Sequence, residues 1–227
     1  MKHYDIIIIG AGPGGIFAAY ELQKLDPSLK TAVFEAGHSL AQRRCPIDGK
    51  QVKACVNCKT CSIMSGFGGA GAFSDGKYNI TNDFGGTLHE HIGRQQALDL
   101  MKYVDTINMT HGGAGARLFS TAQTKYKKIC MQNGLKLLDA SVRHLGTDLN
   151  HVVLENLYKE LESCVDFYFD TPVQSIAGDE GGYRIFTKDE EYHCAKCIIS
   201  VGRSGSKWME KICEEMNIKT MSNRVDI

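Results

Sequence analysis

The stretch "YDIIIIGAGPGGIFAAYELQKL", residues 4–25, decides the fold class of this chain. Its four consecutive isoleucines are typical of a central parallel strand that is covered on both faces. The residues after the glycines predict a helix whose apolar stripe is formed by Ala18, Leu22 and Leu25. A buried strand, a tight glycine turn and a helix in this order indicate the first β-α unit of a Rossmann-like fold.

The glycines between this strand and helix have the G-x-G-x-x-G spacing, at Gly10, Gly12 and Gly15. The first allows a sharp turn, the second lets the backbone approach a pyrophosphate, and the third allows the helix to pack closely on the strand. The amino terminus of the helix supplies free N–H groups and a positive dipole, and we expect Pro13 and Gly14, within the glycine motif, to bind the cofactor as well. This pattern predicts a dinucleotide site.

A second β-type run, "KTAVFEAG" (residues 30–37), ends with Glu35, which lies 20 residues after Gly15. At this distance a carboxylate can accept hydrogen bonds from both ribose hydroxyls, and it disfavours the 2′-phosphate of NADP. NAD and FAD share the arrangement. Two features favour FAD: the motif begins within the first ten residues, and the chain does not continue as a regular β-α-β series.

The chain leaves this module through "SLAQRRCP", residues 39–46, where Arg43 and Arg44 are predicted to reach the pyrophosphate or the ribose. An equally good interpretation makes both of them solvated surface arginines. Further on, "GFGGAGAFSDGK" (residues 66–77) can bring backbone N–H groups close to an anion or to a flavin ring. We expect Gly68, Gly69, Ala70 and Gly71 to lie there, and a flexible surface loop is the alternative.

Four cysteines precede the glycine-rich stretch with the spacing C-x9-C-x2-C-x2-C: Cys45, Cys55, Cys58 and Cys61. Four thiolates are the number that an iron–sulfur cluster or a structural zinc ion needs, and consecutive C-x-x-C steps favour iron–sulfur. A C-x-x-C pair could instead be a redox dithiol that exchanges electrons with a flavin. Reduced thiols in an ordered loop are the third interpretation, and the residues leave all three open.

Residues 84–165 read as a mostly helical insertion, and β character returns from residue 166. The predicted organisation is therefore a first part of the dinucleotide domain at 1–83, the insertion at 84–165 and a second part of the domain at 166–227. "VDFYFDTPVQSIAG" is a strand pattern, and "GGYRIFTKDEEYHCAK" predicts a hairpin that turns at Asp189 and Glu190.

The composition is that of an ordinary globular protein, with 227 residues, 43% hydrophobic residues and a formal net charge of +0. Without a block of like charges, nothing favours nucleic acid or an anionic membrane as a partner. We find no signal-peptide pattern and no apolar run long enough to span a membrane, which predicts a cytoplasmic protein. In that compartment the nine cysteines are expected to be reduced.

The order of "IIIIGAGPGG", Glu35, "FYFDTPVQSI" and "IISVGRSG" resembles flavoproteins of the glutathione-reductase-like FAD/NAD(P)-binding superfamily. More narrowly, "RRCP", "CVNCKTC", "GFGGAGAFSDGK" and "RHLGTD" are similar to the bacterial uncharacterised FAD-dependent dehydrogenases. The resemblance implies an α/β fold in which a parallel sheet and a β-meander bind FAD. It also implies that the backbone near Val173 approaches the adenine and that Gly202 belongs to a turn beside the cofactor.

Members of that family are about twice as long and complete the FAD site with a late glycine–aspartate segment that this chain lacks. We therefore expect an amino-terminal fragment or a truncated gene, incomplete at its carboxyl end, that retains FAD weakly. The resemblance implies an FAD-dependent oxidoreductase acting on a small-molecule substrate or an electron-transfer partner, with NAD(P)H as a candidate electron donor. The alternative is an NAD-binding or redox-sensing module without flavin catalysis.

Overall fold

The computed structural model describes residues 1–122 and 124–221 and divides into two compact units. The first unit consists of Met1–Gly71 and the described residues from Tyr158 onward, and the second unit is Ala72–Leu157. The insertion predicted at 84–165 covers most of the second unit, although both of its boundaries lie further along the chain than those of the unit.

The secondary structure consists of strands, helices and a few short helical turns. The strands are β1 (Lys2–Ile9), β2 (Thr31–Phe34), β3 (Lys77–Ile80), β4 (Leu118–Ser120), β5 (Ser141–His144), β6 (Val165–Tyr168), β7 (Ser175–Asp179), β8 (Gly182–Phe186) and β9 (Glu191–Ile199). The helices are α1 (Pro13–Leu25), α2 (Leu88–Ile92), α3 (Arg94–Asn108), α4 (Tyr126–Gln132), α5 (Gly146–Leu161) and α6 (Ser206–Glu215). Short 3₁₀ turns are at Leu40–Gln42, Gly69–Phe73 and Arg203–Gly205, and a π-type turn is at Met109–Gly113.

The first unit is built on a six-stranded sheet with the strand order β6-β2-β1-β9-β8-β7. Strand β1 is parallel to β2 and to β9, and β2 is parallel to β6. The remaining pairs, β7 with β8 and β8 with β9, are antiparallel and form a meander. The predicted parallel sheet with a β-meander is confirmed, and so is the hairpin that turns at Asp189 and Glu190, between β8 and β9.

The register of the parallel strands places their carboxyl ends at the same level. Ile9 is paired with Phe34 on one side and with Ile199 on the other, and Phe34 is paired in turn with Tyr168. The chain continues from β1 toward one side of the sheet and reaches β9 on the opposite side. This is the switch point at which open α/β sheets bind ligands, in the crevice outside the carboxyl ends of the strands.

Helix α1 packs on the sheet with a different face from the predicted one. Gly15, Ile16 and Ala19 are buried, whereas Leu25 at the end of the predicted stripe is 79% exposed. The contact between the helix and the turn explains the difference, because a Cβ on Gly15 would overlap the carbonyl oxygen of Gly10. The close packing of Gly15 against Gly10 therefore determines which face of the helix is buried, and the apolar periodicity alone does not predict it.

The β-rich segment after α5 forms two strands where the sequence predicted one continuous pattern. Strands β6 and β7 are separated by a turn at which Asp170 has a positive φ of 53° and Pro172 follows. The turn is fastened to the end of β2, because Asp170 N donates to the carbonyl of Gly37 and Thr171 N donates to the carbonyl of Glu35. This arrangement brings Val173 toward the carboxyl edge of the sheet.

The second unit contains a three-stranded antiparallel sheet, in the order β3-β5-β4, that the sequence did not predict. Arg143 on β5 forms a bidentate ion pair with Asp105 on α3, with Nε–Oδ1 and Nη2–Oδ2 distances of 2.6 and 2.7 Å. Hydrogen bonding to Asp105 raises the pKa of Arg143 above its ordinary value. Helices still account for most of the regular structure of this unit.

Across residues 1–122 and 124–221, no helix combines the length and the apolar character that crossing a membrane requires.

Candidate functional site

A cleft of about 820 Å³ opens in the first unit at the carboxyl ends of β1, β2 and β9. Its volume is in the usual range for small-molecule and cofactor sites. Most of the residues predicted to bind a cofactor contribute to its lining. These are Gly10, Gly12, Pro13, Gly14, Glu35, Gly69, Ala70, Gly71, Val173 and Gly202.

The glycine turn forms one wall of the cleft, and each glycine meets a different spatial demand. Gly10 has a φ of +103°, and a Cβ there would lie 2.5 Å from the carbonyl oxygen of Ser200 on the neighbouring strand end. Gly15 has no room for a side chain against Gly10. Gly12 differs from both, since a Cβ there would meet nothing within 4 Å. The space kept free at Gly12 is space that a ligand can use.

The amino terminus of α1 faces this space without a side-chain cap. Gly12 is the N-cap residue, Pro13 is the first helical residue, and the first turn contains no acidic side chain. The leading amides of a helix have no intrahelical partners, and the helix dipole is positive at this end. The wall can therefore bind an anionic group such as a pyrophosphate.

Glu35 is buried and accepts hydrogen bonds from three backbone amides. Its Oε2 accepts from Ala11 N at 2.8 Å, and its Oε1 accepts from Gly37 N and Gly66 N, both at 2.9 Å. A carboxylate has about four acceptor positions, so Oε2 keeps one that a ribose hydroxyl could use. The carboxylate therefore lines the cleft and also holds the surrounding backbone in place through these three amides. The sequence did not predict this second role.

Arg43 was predicted to contact the pyrophosphate or the ribose of a cofactor, but its side chain lies in the protein interior. It is only 4% exposed, and Nε, Nη2 and Nη1 donate to the carbonyl oxygens of Ser62, Ile63 and Phe67 at 2.9, 2.9 and 2.6 Å. Burial lowers the pKa of its guanidinium, and the nearby Glu35 opposes that effect. Its observed contacts are therefore structural, whereas Arg44 is exposed and outside the lining of the cleft.

We expect Arg43→Lys to lower the free energy of unfolding by about 2 kcal/mol, because one ammonium group cannot reach three carbonyls that a guanidinium fork satisfies. Urea denaturation of the wild type and the variant measures this difference. The matched control is Arg44→Lys at the exposed neighbour, with an expected change within about 0.5 kcal/mol. Equal losses in the two variants would contradict the structural role of Arg43.

Arg43 holds part of a longer stretch, residues 62–68, which we call the anchored segment. Gly66 N is bound by Glu35, Phe67 N donates to the carbonyl of His38 at 3.1 Å, and Gly68 N donates to the carbonyl of Ala11 at 2.8 Å. The predicted cofactor residue Gly68 therefore supports the glycine turn through its amide and does not line the cleft. The segment connects the cysteine-rich loop to the dinucleotide turn.

Phe67 gives the anchored segment an apolar attachment as well. Its side chain is fully buried, and its ring lies 5.0 Å from that of Tyr158 and 5.8 Å from that of Phe167, both in edge-on orientations. Edge-to-face aromatic pairs add to the free energy of burial. Just beyond it, a Cβ on Gly69 would lie 3.2 Å from the Cα of Gly12, so the glycine-rich stretch lies directly against the turn.

The four clustered cysteines are not brought together. Cys45 and Cys55 are exposed and outside the lining of the cleft, whereas Cys58 and Cys61 line it. Among the described residues, no group of three or more Cys, His, Asp or Glu side chains is arranged to hold a metal ion. The arrangement therefore does not fit the predicted four-thiolate site, which needs all four thiols in one group.

Several residues that line the cleft come from distant parts of the chain and were not predicted from the sequence. Ser200 and Val201 follow β9, and the end of a buried strand in a predicted parallel sheet was a signal that could have found them. Arg203 and Trp208 also line the cleft, and the indole of Trp208 donates to the carbonyl of Gln174 at 3.1 Å. The amphipathic pattern of α6 accounts for the packing of this tryptophan but gives no signal for its position in the cleft.

Two oxidases are among the solved structures that resemble this chain over nearly its whole length. Glycine oxidase from Geobacillus kaustophilus aligns with a TM-score of 0.52 and 16% sequence identity, over 96% of this chain and 59% of the oxidase. NikD, an unusual amino acid oxidase essential for nikkomycin biosynthesis, aligns with a TM-score of 0.53 and 12% identity, over 95% and 54%. The chain has a Rossmann-like α/β fold.

At these identities the likeness shows the fold alone, and this chain spans 59% and 54% of the lengths of the two oxidases. No protein-family model matches the chain, and neither does a curated protein. Within the Rossmann-like fold, the cleft lies at the switch point between β2 and β9, and it combines a helix amino terminus, a carboxylate and two thiols. This combination can bind the phosphates and ribose of a dinucleotide.

Proposed function

We propose that this chain binds FAD in the cleft and forms the cofactor-binding part of an FAD-dependent oxidoreductase. The observation that carries the proposal is the position of the glycine turn and Glu35 together at the level carboxyl ends of β1 and β2. Crevices at this position of open α/β sheets bind dinucleotides. The resemblance of the sequence motifs to FAD-dependent dehydrogenases supports FAD among the dinucleotides.

The residues of the chain have separate roles in this proposal. The open space at Gly12 and the amino terminus of α1 receive the pyrophosphate, and the remaining acceptor position of Glu35 receives a ribose hydroxyl. The backbone around Val173 and the turn at Gly202 form the opposite wall. When bound, a flavin supplies two-electron redox chemistry, while the protein orients it and tunes its surroundings.

An iron–sulfur cluster is not part of the proposal, because the four clustered cysteines do not form a group that fits one. NADH and NADPH are the candidate electron donors, and the test below distinguishes between them. The two solved structures named above are amino acid oxidases by name.

The proposal is tested by titrating the purified protein with FAD, FMN, NAD⁺ and NADP⁺. Trp208 is the single tryptophan and lines the cleft, so its fluorescence reports occupancy directly. We expect FAD to bind more tightly than FMN, because FMN lacks the AMP moiety, whose ribose Glu35 is proposed to bind, and has one phosphate where FAD has two. We expect NADP⁺ to bind most weakly, because its 2′-phosphate would meet the carboxylate of Glu35. Isothermal titration calorimetry gives the dissociation constants.

Two results would contradict the proposal. Tighter binding of NAD⁺ than of FAD would favour an NAD-binding or redox-sensing module without flavin catalysis. Failure to bind FAD at all would contradict the proposal outright.

A second experiment identifies the electron donor. The protein loaded with FAD is mixed anaerobically with NADH or NADPH, and bleaching of the visible flavin absorption identifies the donor. Stoichiometric flavin in the purified protein would overturn the expectation of weak retention.

A further inference from the structure

The basic residues of this chain are unevenly distributed, although its formal net charge is +0. Between Asp105 and Asp139 the sequence contains no acidic residue. The basic residues in this interval are Arg117, Lys125, Lys127, Lys128 and Lys136. A balanced total does not reveal such a local excess of positive charge, so the composition alone predicted no anionic membrane as a partner.

This basic interval contains the connection between β4 and β5 of the second unit, which we call the α4 hairpin (residues 121, 122 and 124–138). Its two ends are bound to each other. Thr121 N donates to the carbonyl of Ala140 at 3.0 Å, and Thr121 Oγ1 donates to the carbonyl of Leu138 at 2.7 Å. Helix α4 and the turn after it therefore continue beyond the end of the paired strands.

The α4 hairpin exposes apolar side chains at positions where a surface loop is usually polar. Helix α4 has no buried residue, and Tyr126 and Ile129 on it are both exposed. Met131 and Leu135, before and after the turn at Gly134, are 71% and 63% exposed. A helix of seven residues is too short to be stable through its own hydrogen bonds. Contact of these side chains with an apolar medium would stabilise it.

Lysines flank these apolar side chains. Lys125 and Lys128 lie at the start of α4, Lys136 lies directly after the turn, and all three are exposed. Lys127 forms an ion pair with Asp139 at 2.7 Å, whereas Lys125 and Lys128 form none with the residues that the structure describes. Exposed apolar side chains with cations beside them are typical of segments that bind at the interface of an anionic membrane.

We propose that the α4 hairpin binds the surface of an anionic phospholipid membrane. Met131 and Leu135 enter the boundary between headgroups and acyl chains, and the flanking lysines contact the phosphates of the headgroups. The binding is peripheral. The inference goes beyond the proposed function and does not rest on it, because every residue that carries it belongs to the second unit.

Charge and size favour this partner over three others. A second copy of the chain would bring the same cations of two hairpins together, which is unfavourable. Nucleic acid would account for the lysines but not for the exposed aliphatic side chains of Ile129, Met131 and Leu135. A protein partner requires roughly 20–30 residues on each side of the interface, and the turn of the α4 hairpin offers only a few apolar side chains.

The test is a flotation assay of the full chain with lipid vesicles. One set contains phosphatidylglycerol and phosphatidylcholine in equal parts, and the other contains phosphatidylcholine alone. We expect the protein to float with the anionic vesicles and to bind the neutral ones at least about tenfold more weakly. Binding to the anionic vesicles should weaken as salt is added, because salt screens the attraction of exposed charges.

The apolar contribution is tested with Leu135→Ser, which we expect to weaken binding to the anionic vesicles about tenfold, because apolar carbons no longer leave water. The matched control is Leu25→Ser at the end of α1, where the leucine is even more exposed. Its binding should equal that of the wild type. Urea denaturation curves and FAD titrations of both variants are expected to match the wild type.

The electrostatic contribution is tested by reversing two charges, in the double variant Lys125→Glu, Lys128→Glu. We expect it to weaken binding at least about 25-fold, since each lysine near an anionic surface contributes about fivefold. Lys53→Glu, Lys188→Glu is the matched control, because it changes the net charge equally at two exposed lysines outside the α4 hairpin. It should lose no more than about threefold.

Four results would overturn the inference. Two of them are an absence of binding to anionic vesicles and equally tight binding to neutral ones. The third is binding that survives both Leu135→Ser and the charge reversal, which would place the contact elsewhere on the chain. The fourth is a dimer, measured by light scattering without lipid, that Leu135→Ser dissociates, because the hairpin would then bind a second copy.

Discussion

Replacing Gly12 with alanine is expected to weaken FAD binding about 100-fold, equivalent to the loss of two hydrogen bonds to a charged phosphate. The added methyl group would enter the open space beside the amino terminus of α1, where the pyrophosphate is proposed to lie. The fold should tolerate it, because Gly12 has extended backbone angles (φ −75°, ψ −178°) that any residue adopts. A titration with FAD and a urea denaturation curve measure the two effects.

The matched control for this variant is Gly178→Ala on β7. A Cβ at Gly178 also meets nothing within 4 Å, but the residue lies outside the lining of the cleft. Gly178→Ala is expected to change the free energy of unfolding by less than about 1 kcal/mol. Gly12→Ala is expected to lower it by at most about 1 kcal/mol, because glycine is preferred over alanine at the N-cap position of α1. Wild-type affinity for FAD in the Gly12 variant would show that the dinucleotide binds elsewhere.

Replacing Glu35 with glutamine is expected to lower the free energy of unfolding by about 3 kcal/mol, since charge-assisted hydrogen bonds are lost and buried donors are left unpaired. Both carboxylate oxygens accept from backbone amides, so either orientation of the new amide group points its NH₂ at an N–H donor. Because those amides belong to the glycine turn and the anchored segment, we also expect FAD affinity to fall more than tenfold. Urea denaturation and FAD titration measure both losses.

Two further variants make the result for Glu35 specific. Glu180→Gln changes an exposed glutamate in the turn between β7 and β8, and its expected effect is within about 0.5 kcal/mol. Glu35→Asp keeps the charge on a shorter side chain that cannot reach all three amides, so its stability should fall between those of the wild type and the glutamine variant. A glutamine variant as stable as the wild type would rule out the structural role of this carboxylate.

The parts of the site that depend on neighbouring residues could be predicted from the sequence. The strand, turn and helix at residues 4–25 follow from apolar periodicity and from the few residue types that fit a tight turn. The position of Glu35 follows from the regular length of a β-α-β unit. These features are local, so a single window of sequence contains the information that determines them.

The contacts made by distant residues could not be predicted in the same way. The pattern "RRCP" does not tell which arginine is buried, because the answer depends on carbonyl groups about 20 residues away. The apolar pattern of α1 predicts the wrong face, because the close packing of Gly15 against the carbonyl of Gly10 decides which face of the helix meets the sheet. The spacing of the four cysteines likewise shows how many candidate ligands the sequence has, but it does not show whether the fold groups them. Among the described residues the structure contains no such group.

The attachment of the anchored segment has a consequence for protein engineering. Arg43 and Glu35 hold it through main-chain carbonyls and amides, so most of the attachment does not depend on which side chains stand at Ser62 and Ile63. The loop before it, residues 45–61, contributes one wall of the cleft without taking part in that attachment, apart from the turn that Cys61 begins. This loop is therefore a natural place for grafting: a peptide of different chemistry can be installed beside the cofactor site while the platform beneath it stays the same.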